Sequence, residues 1–332
     1  MMGRVILVTG GAGFIGSNIV ARLCDQGREV VVCDWLGNAD EQRWRNIAKH
    51  PIGDLIAPEQ MFEWLARRWR DVAAVVHMGA ISSTTEPDVD KIFRNNFALS
   101  RDLFRWCADY GTRLIYASSA ATYGDGQHGF DDDGEIAALA TLRPLNAYGW
   151  SKALFDLFAA REAARGAAPP QWVGLKFFNV YGPNEGHKGA MKSVAAQIWP
   201  DVARGYPVRL FKSHRADYAD GGQMRDFVYV RDAADVVAWL LERGDVSGVF
   251  NLGSGRARSF KDMAEAVFAA AGRAPQIEYV DMPEALCDRY QYFTEARMDR
   301  LRGAGYEGQF TALEHGIGDY VRGFLSQADP YR

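Results

Sequence analysis

Cysteine is scarce and unpatterned in this 332-residue chain. Cys24, Cys33, Cys107 and Cys287 form no Cys-x-x-Cys pair and have no metal-ligand spacing, so neither a disulfide framework nor a bound metal is expected. Long apolar runs are also missing. Nothing approaches the roughly 20 residues that cross a bilayer, which argues against a membrane partner. The segment Met1-Met2-Gly3-Arg4 leads through Val5–Val8 straight into Thr9-Gly10-Gly11 without a small-residue cleavage site. It reads as a buried first strand rather than a signal peptide, and a cytoplasmic location is expected. No charge sign dominates: a formal net charge of −4 and the lack of a long basic run argue against a nucleic-acid surface. An anionic ligand must then be held by local devices, such as helix N-termini and a few placed Arg or Lys side chains. Internal repeats and low-complexity tracts are absent as well. What is present, 48% hydrophobic and 24% charged residues, suits one large core or two adjoining ones.

Short β-branched or aromatic-rich runs at Val5–Val8, Val30–Cys33, Ala73–His77, Leu114–Ala117 and Val173–Phe177 suit strands covered on both faces. Between them Ile15–Gln26, Pro58–Arg70, Lys91–Tyr110 and Ala147–Arg165 have helical spacing. This alternation predicts an α/β fold, a doubly wound parallel sheet of Rossmann type. After about Gly182 the pattern loosens into shorter elements broken by Gly, Pro and polar clusters. We expect a dinucleotide-binding domain over residues 1–180, with some later segments returning to it, and a smaller α/β substrate-binding lobe over residues 181–332. The stretch Ser213–Gln223 reads as a flexible surface loop, since it has polar turn residues and no apolar period.

Gly10-Gly11-Ala12-Gly13-Phe14-Ile15-Gly16 follows the first strand and opens a helix. Glycines at 10, 13 and 16 allow a tight turn, close approach of a pyrophosphate to backbone, and close helix-strand packing. Asp34 ends the second strand about 20 residues further on, where an acid usually accepts from a ribose 2′-hydroxyl and favours NAD. Arg43 and Arg45 follow, and a guanidinium suits a 2′-phosphate, so NAD and NADP both stay open on these residues. The strand ending at His77 leads into the small-residue turn Met78-Gly79-Ala80-Ile81-Ser82, across which a dinucleotide can lie. Asn95-Asn96 on the next helix are placed to support that turn. Tyr148-Gly149-Trp150-Ser151-Lys152 puts a phenol and an ammonium at i and i+4 on one helix face. A cation there is expected to lower the phenol's pKa from about 10, readying it for proton exchange with a sugar hydroxyl. Ser118-Ser119-Ala120-Ala121-Thr122-Tyr123-Gly124, at the end of a strand, would bring hydroxyls to the same place.

The glycine turn, this strand end and Tyr148/Lys152 together resemble the extended short-chain dehydrogenase/reductases over nearly the whole chain. The match sharpens at Ser82-Ser83-Thr84-Thr85-Glu86, Phe177-Phe178-Asn179-Val180-Tyr181-Gly182-Pro183, Glu185-Gly186-His187-Lys188-Gly189 and Arg289-Tyr290-Gln291, which resemble the ADP-glycero-manno-heptose 6-epimerases. The resemblance implies oxidation at C6 of a nucleotide-linked heptose and return of the hydride to the other face. It implies Tyr148 and Lys188 as the two proton-transfer groups, Lys152 as the holder of the cofactor ribose, and Ser119 as the partner of the reacting oxygen. It further implies cofactor contacts at Gly10, Gly13, Phe14, Ile15, Gly16, Asp34, Trp35, Arg43, Met78, Gly79, Ala80, Ile81, Ser82, Asn95, Val180 and Lys188. Substrate contacts carry over to Asn179, Ala190, Gln197, Leu210, Phe211, Lys212, Ser213, Arg225 and Tyr290. Arg225 is suited to a bidentate grip on the diphosphate, unless it pairs with Asp226 or Asp232.

Ala190 stands where the family often has serine, Gln197 where histidine is common, and the Ser213–Gln223 loop is longer than usual. Trp35 replaces an asparagine, and Arg43 takes the place of a lysine that reads the 2′-phosphate, which tilts the expectation toward NADP. The resemblance also implies a homo-oligomer, a ring of five subunits. The rival readings are a nucleotide-sugar 4-epimerase, which has no use for Lys188, and a 4,6-dehydratase, which commonly places an Asp-Glu pair where this chain has Ala120-Ala121. A dinucleotide-binding sensor without chemistry is a further alternative, opposed by the intact Ser119, Tyr148 and Lys152.

Overall fold

The computed structural model describes residues 4–284 and 290–332; Cys287 and Arg289 lie outside that range. The chain begins β1 (Val5–Thr9), α1 (Phe14–Asp25), β2 (Glu29–Cys33), β3 (Asp54–Ile56), α2 (Met61–Arg68) and β4 (Val72–His77). The short α3 (Val89–Ile92) passes through a π-helical turn at Phe93–Ala98 into α4 (Leu99–Asp109). Then come β5 (Arg113–Ser119), the short α5 (Ile136–Leu139), α6 (Ala147–Ala164) and β6 (Trp172–Phe177). The second half holds β7 (Asn179–Tyr181), α7 (Val194–Arg204), β8 (Val208–Phe211), β9 (Met224–Tyr229), α8 (Val230–Glu242) and β10 (Gly248–Leu252). It closes with β11 (Ala257–Ser259), α9 (Phe260–Ala270), β12 (Ile277–Val280), α10 (Asp299–Gly303) and α11 (Leu313–Tyr320).

Seven strands pair in the order β10-β6-β5-β4-β1-β2-β3, and each recorded pairing in that sheet is parallel. β1 (Val-Ile-Leu-Val-Thr) is buried throughout, because helices cover both faces. One face carries a core of Ile6, Val8, Val30, Val76 and Ile115 under α1 and α8. The other carries Leu7, Val75, Leu103, Phe104 and Phe155 under α4 and α6. The strand order reverses between β1 and β4, and parallel sheets open a crevice for ligands at such a point. The pairs β11-β9-β7 and β12-β8 build a second layer beside this crevice, packed with α7, α9 and α11 around a separate core.

Two strands of the large sheet have no counterpart in the sequence reading: β3 and β10. The helical stretch read as continuous over Lys91–Tyr110 is interrupted by the π turn. The helix after the Lys188 loop starts at Val194, where the Ser193 hydroxyl accepts from Ala196 N at 3.3 Å and caps it. The Ser213–Gln223 stretch has no regular element, as expected. It is pinned by Ser213 N donating to Asp220 (2.8 Å) and His214 N donating to the Tyr292 hydroxyl (3.0 Å).

α6 is fastened to the sheet by charge as well as by apolar packing. Asp156, wholly buried, receives Lys176 Nζ at 2.7 Å, the Ser118 hydroxyl at 2.6 Å and the Tyr116 hydroxyl at 3.0 Å. Lys176 Nζ also donates to Thr122 Oγ1 at 2.8 Å. Every oxygen of the carboxylate is therefore compensated. Removing only the cation leaves a buried charge unpaired, so Lys176→Met is expected to destabilise the protein by about 3–5 kcal/mol, read as a fall in the urea midpoint. A loss below about 1 kcal/mol would make the pair dispensable.

Candidate active site

The glycine turn is built by contact rather than by local preference alone. At Gly10, with φ of 66°, an added Cβ would lie 2.6 Å from the backbone nitrogen of Gly79. At Gly16 it would lie 2.1 Å from the carbonyl oxygen of Gly10. The turns after β1 and β4 thus touch, and α1 starts hard against the turn with its free N–H groups facing the crevice. Asp34 lies at the edge of this cradle, its Oδ2 accepting from Ala12 N at 2.9 Å. Arg43 lies 3.9 Å from Asp34, 2.8 Å from Glu41, and 3.4 Å from the Trp35 carbonyl. Trp35 is 46% exposed and its indole N–H donates to Glu59 at 2.8 Å.

The opposite side of the cradle is the 78–82 turn. Asn96, fully buried, accepts from Ile81 N at 2.8 Å and donates to Ile81 O at 3.0 Å. It also donates to the Ser151 hydroxyl at 3.1 Å, which in turn donates to Tyr148 O at 2.7 Å. The π turn makes this double use possible. It aims Asn96 at the turn and α6, while Asn95 donates to Lys91 O and stands at the cavity wall. Below the turn His77 is clasped by Thr9 Oγ1 (2.6 Å from Nδ1) and Ser100 Oγ (2.8 Å from Nε2). Burial pulls its pKa down to about 3, so it is a neutral part of the frame.

One cavity of about 670 Å³ runs from Cys33 and Asp34 past the glycine turn to Arg225 and Tyr290. Ser119, Tyr148, Lys152 and Lys188 all line it, so the phenol and the amine far apart in the chain share one space. Phe14, Ile15, Trp35, Arg43, Val180, Asn179 and the whole 78–82 turn line it too. Six residues carried over for the substrate are not among its lining residues. Ala190 and Gln197 sit on the loop and helix behind Lys188, where the Gln197 amide donates to Ala190 O (3.2 Å) and Lys192 O (2.7 Å). Leu210 is buried in the second core, and Phe211 packs edge-on to Tyr290 with centroids 6.4 Å apart. Lys212 pairs with Asp281 at 3.0 Å, and Ser213 Oγ donates to Arg215 O. Gln291, Thr294, Asn146 and His187 line the cavity without having been assigned a role from sequence.

Asn146 caps α6 through Gly149 N at 2.8 Å, which sets Tyr148 in the first turn of the helix at the cavity wall. The expected lowering of its pKa by Lys152 is not what the geometry gives. Lys152 Nζ donates to Ala117 O at 2.8 Å, and burial is the larger influence on the phenol, raising its pKa above the usual value. The neighbouring Ser119 hydroxyl opposes this and pulls the phenol's pKa back down. Lys152 is itself pulled down to about 8 by burial, against the pull of Asp156. Lys188 is lowered by burial with Glu185 opposing, and its ammonium stands 5.0 Å over the Phe14 ring.

Arg225 is 9% exposed and forms no recorded pair with Asp226 or Asp232. Asp226 is taken by Ser254, Gly255 and Ala296, and Asp232 by Thr311. Among the described residues the guanidinium has no carboxylate partner: it lies between the Phe260 and Tyr290 rings, 5.5 and 5.3 Å away, and bonds its neighbour's carbonyl. A buried cation without a carboxylate partner at a cavity wall is suited to an anion.

A doubly wound sheet with a glycine cradle at its switch point, and a phenol and an ammonium beside that cradle, defines a nicotinamide-dinucleotide enzyme of the short-chain dehydrogenase/reductase type. Residues 6–253 match the NAD dependent epimerase/dehydratase family, and the chain belongs to it. The chain is 50% identical over 329 residues to an ADP-L-glycero-D-manno-heptose-6-epimerase of Nitratidesulfovibrio vulgaris (strain DP4), covering 98% of this chain and 99% of the relative. It is 43% identical over 336 residues to the enzyme of the same name from Fusobacterium nucleatum, covering 98% and 100%. Among solved structures it is similar to the Helicobacter pylori ADP-L-glycero-D-manno-heptose-6-epimerase, with TM-score 0.81, 26% identity and 98% and 97% of the two chains covered. A Thermus thermophilus UDP-glucose 4-epimerase in complex with NAD gives a TM-score of 0.73 at 27% identity, covering 98% and 100%.

The lowered pKa of Lys152 has a measurable consequence. If Lys152 holds the cofactor ribose as an ammonium, binding must follow its protonation, and burial pulls its pKa down to about 8. Affinity for the dinucleotide is expected to be flat below that pH and to fall by up to about tenfold per unit above it, as titration calorimetry would record. An affinity flat to pH 10 would remove the ribose contact from Lys152.

Proposed function

We propose that this enzyme interconverts ADP-D-glycero- and ADP-L-glycero-D-manno-heptose by epimerisation at C6, a step toward the lipopolysaccharide core. The observation that supports this reading is the shared cavity, whose lining includes Tyr148, Lys188, the dinucleotide cradle and the unpaired Arg225. The glycine turn, Asp34 and the 78–82 turn would hold a nicotinamide dinucleotide, which would supply the hydride acceptor and donor for C6. Tyr148 and Lys188 supply the protons: one takes the hydroxyl proton as C6 is oxidised, and the other gives a proton to the oxygen as C6 is reduced. Two groups are needed because the oxygen leaves one side of the pocket and is protonated at the other. Ser119, beside the phenol at the cavity wall, is placed to hold the reacting oxygen as charge develops on it. Arg225 would bind the diphosphate, with Tyr290 and Asn179 at the sugar end.

For the cofactor we favour NADP, with Arg43 reading the 2′-phosphate. Arg43 faces the adenosine end of the cavity, and its present partners Asp34 and Glu41 hold it there. NAD remains usable through Asp34. In this reading residues 1–180, with the later strand β10 and helix α8, hold the cofactor, and residues 181–332 mainly hold the sugar nucleotide. The enzyme works in the cytoplasm as a homo-oligomer, a ring of five; no described helix is long and apolar enough to cross a membrane.

Tyr148→Phe and Lys188→Met are each expected to slow epimerisation of ADP-heptose about 100- to 10,000-fold while dinucleotide, released by denaturation and identified by mass, stays at wild-type occupancy. Full activity in Lys188→Met would end the two-group mechanism. Arg43→Ala is expected to weaken NADP by about 1–3 kcal/mol more than NAD in equilibrium binding. Equal losses for the two cofactors would take the phosphate role away from Arg43.

A further inference from the structure

The loop that carries Lys188 has little regular structure of its own, yet its ammonium is held inside the cavity. Residues Gly186–Met191 form a single irregular turn, and α7 begins only at Val194. Glu185 stands at the start of this loop and is 1% exposed, an uncommon position for a glutamate. Its Oε2 accepts from Ser193 N at 2.5 Å, and its Oε1 from the Ser193 hydroxyl at 2.5 Å and the Tyr320 hydroxyl at 3.0 Å. Its carbonyl accepts from Lys188 N at 3.0 Å. One side chain therefore joins the two ends of the loop, caps the approach to α7, and anchors both to α11.

We infer that Glu185 is a positioning residue for Lys188: it closes the loop so that the ammonium faces the cavity over Phe14, and it supplies the buried counter-charge of that ammonium. This rests on the reading of Lys188 as the second proton-transfer group. A carboxylate withdrawn from water needs compensation, and three neutral donors supply only part of it. Burial still raises the Glu185 carboxyl above its usual range; the Ser193 hydroxyl and N–H oppose it most, then the charge of the Lys188 ammonium on the same loop, and Glu185 in turn raises the pKa of Lys188. The other ionisable groups facing this region are His187 on the same loop, Arg43 from the turn at 43–46, Tyr148 and Lys152 from α6, and Tyr320 from α11. His187 is held neutral, with its pKa pulled down to about 4 by burial and by the two cations Arg43 and Lys188. Its neutrality matters here. It leaves Glu185 as the carboxylate that offsets the desolvation of the amine.

The charge and the closure can be separated. Removing the charge lowers the pKa of the ammonium, because burial then acts on it unopposed. In Glu185→Gln, studied as the full-length protein with its dinucleotide, we expect the pH midpoint for acetylation of Lys188, followed by mass spectrometry, to move down by about one unit. The alkaline limb of kcat should move with it, and kcat at neutral pH should fall about tenfold or more at a KM within about threefold of wild type. Ser193→Ala keeps the charge and loosens the closure. It should lower kcat by about tenfold and leave the acetylation midpoint in place. A wild-type midpoint in Glu185→Gln, or a loss of kcat that is uniform across pH, overturns the charge role. Wild-type kcat in Ser193→Ala overturns the closure, and with it the positioning role, if Glu185→Gln does not fold. The underlying assignment fails separately, through an active Lys188→Met, whatever the Glu185 titration gives.

Discussion

Asp156 carries a negative charge in a place that water does not reach, and the position of α6 follows from that. The carboxylate needs donors on the sheet, and β5 and β6 supply them as Tyr116, Ser118 and Lys176. Apolar packing alone would let a helix slide or rotate by a fraction of a turn at modest cost, but an ion pair with three further hydrogen-bonding partners would not. Tyr148, Lys152 and Asp156 follow each other at steps of four along one face of α6. Docking Asp156 therefore sets the lateral position of the phenol two turns away, beside Ser119 on the strand that also supplies Ser118. The chemistry is aligned by a charge that takes no part in it.

The same helix explains why the electrostatics depart from the simple picture of a lysine beside a tyrosine. Lys152 lies between two claims, the Ala117 carbonyl and Asp156, and spends its proton there. What remains for Tyr148 is burial, which favours the neutral phenol, and one hydroxyl that favours the anion. The positive charge of an oxidised nicotinamide ring, when bound, adds to the second side of that balance.

How much of this could be read from the sequence depends on whether a feature is local. The glycine turn, the strand that precedes it and the helix that follows lie within one short segment, so spacing alone announces them. Tyr148 and Lys152 share a helix face and are equally plain. β3 was missed because it is three residues long and partly exposed, and β10 because it follows the loosened region after Gly182, where no alternation marks it. The continuous helix over 91–110 hid a π turn that only the need to reach Ile81 from Asn96 makes sensible. Glu185 and Asp156 have partners 135 and 20 residues away, and nothing in their own neighbourhood marks them as buried. The substrate residues carried over at Leu210, Phe211, Lys212 and Ser213 belong to β8 and the loop after it, and do not line the cavity; Phe211 reaches its wall only through Tyr290.

Asn46 donates to the Ala12 carbonyl of the glycine turn and lies 3.4 Å from His187, while Asn184 bonds both Ser17 and the Asn46 carbonyl. Asn18 adds a bond from α1 to the Pro183 carbonyl. These buried amides weld the loop that carries the amine onto the turn that cradles the dinucleotide. Loop and cradle are therefore tied into one body, so whatever settles on the glycine turn meets the same face of the 186–191 loop each time.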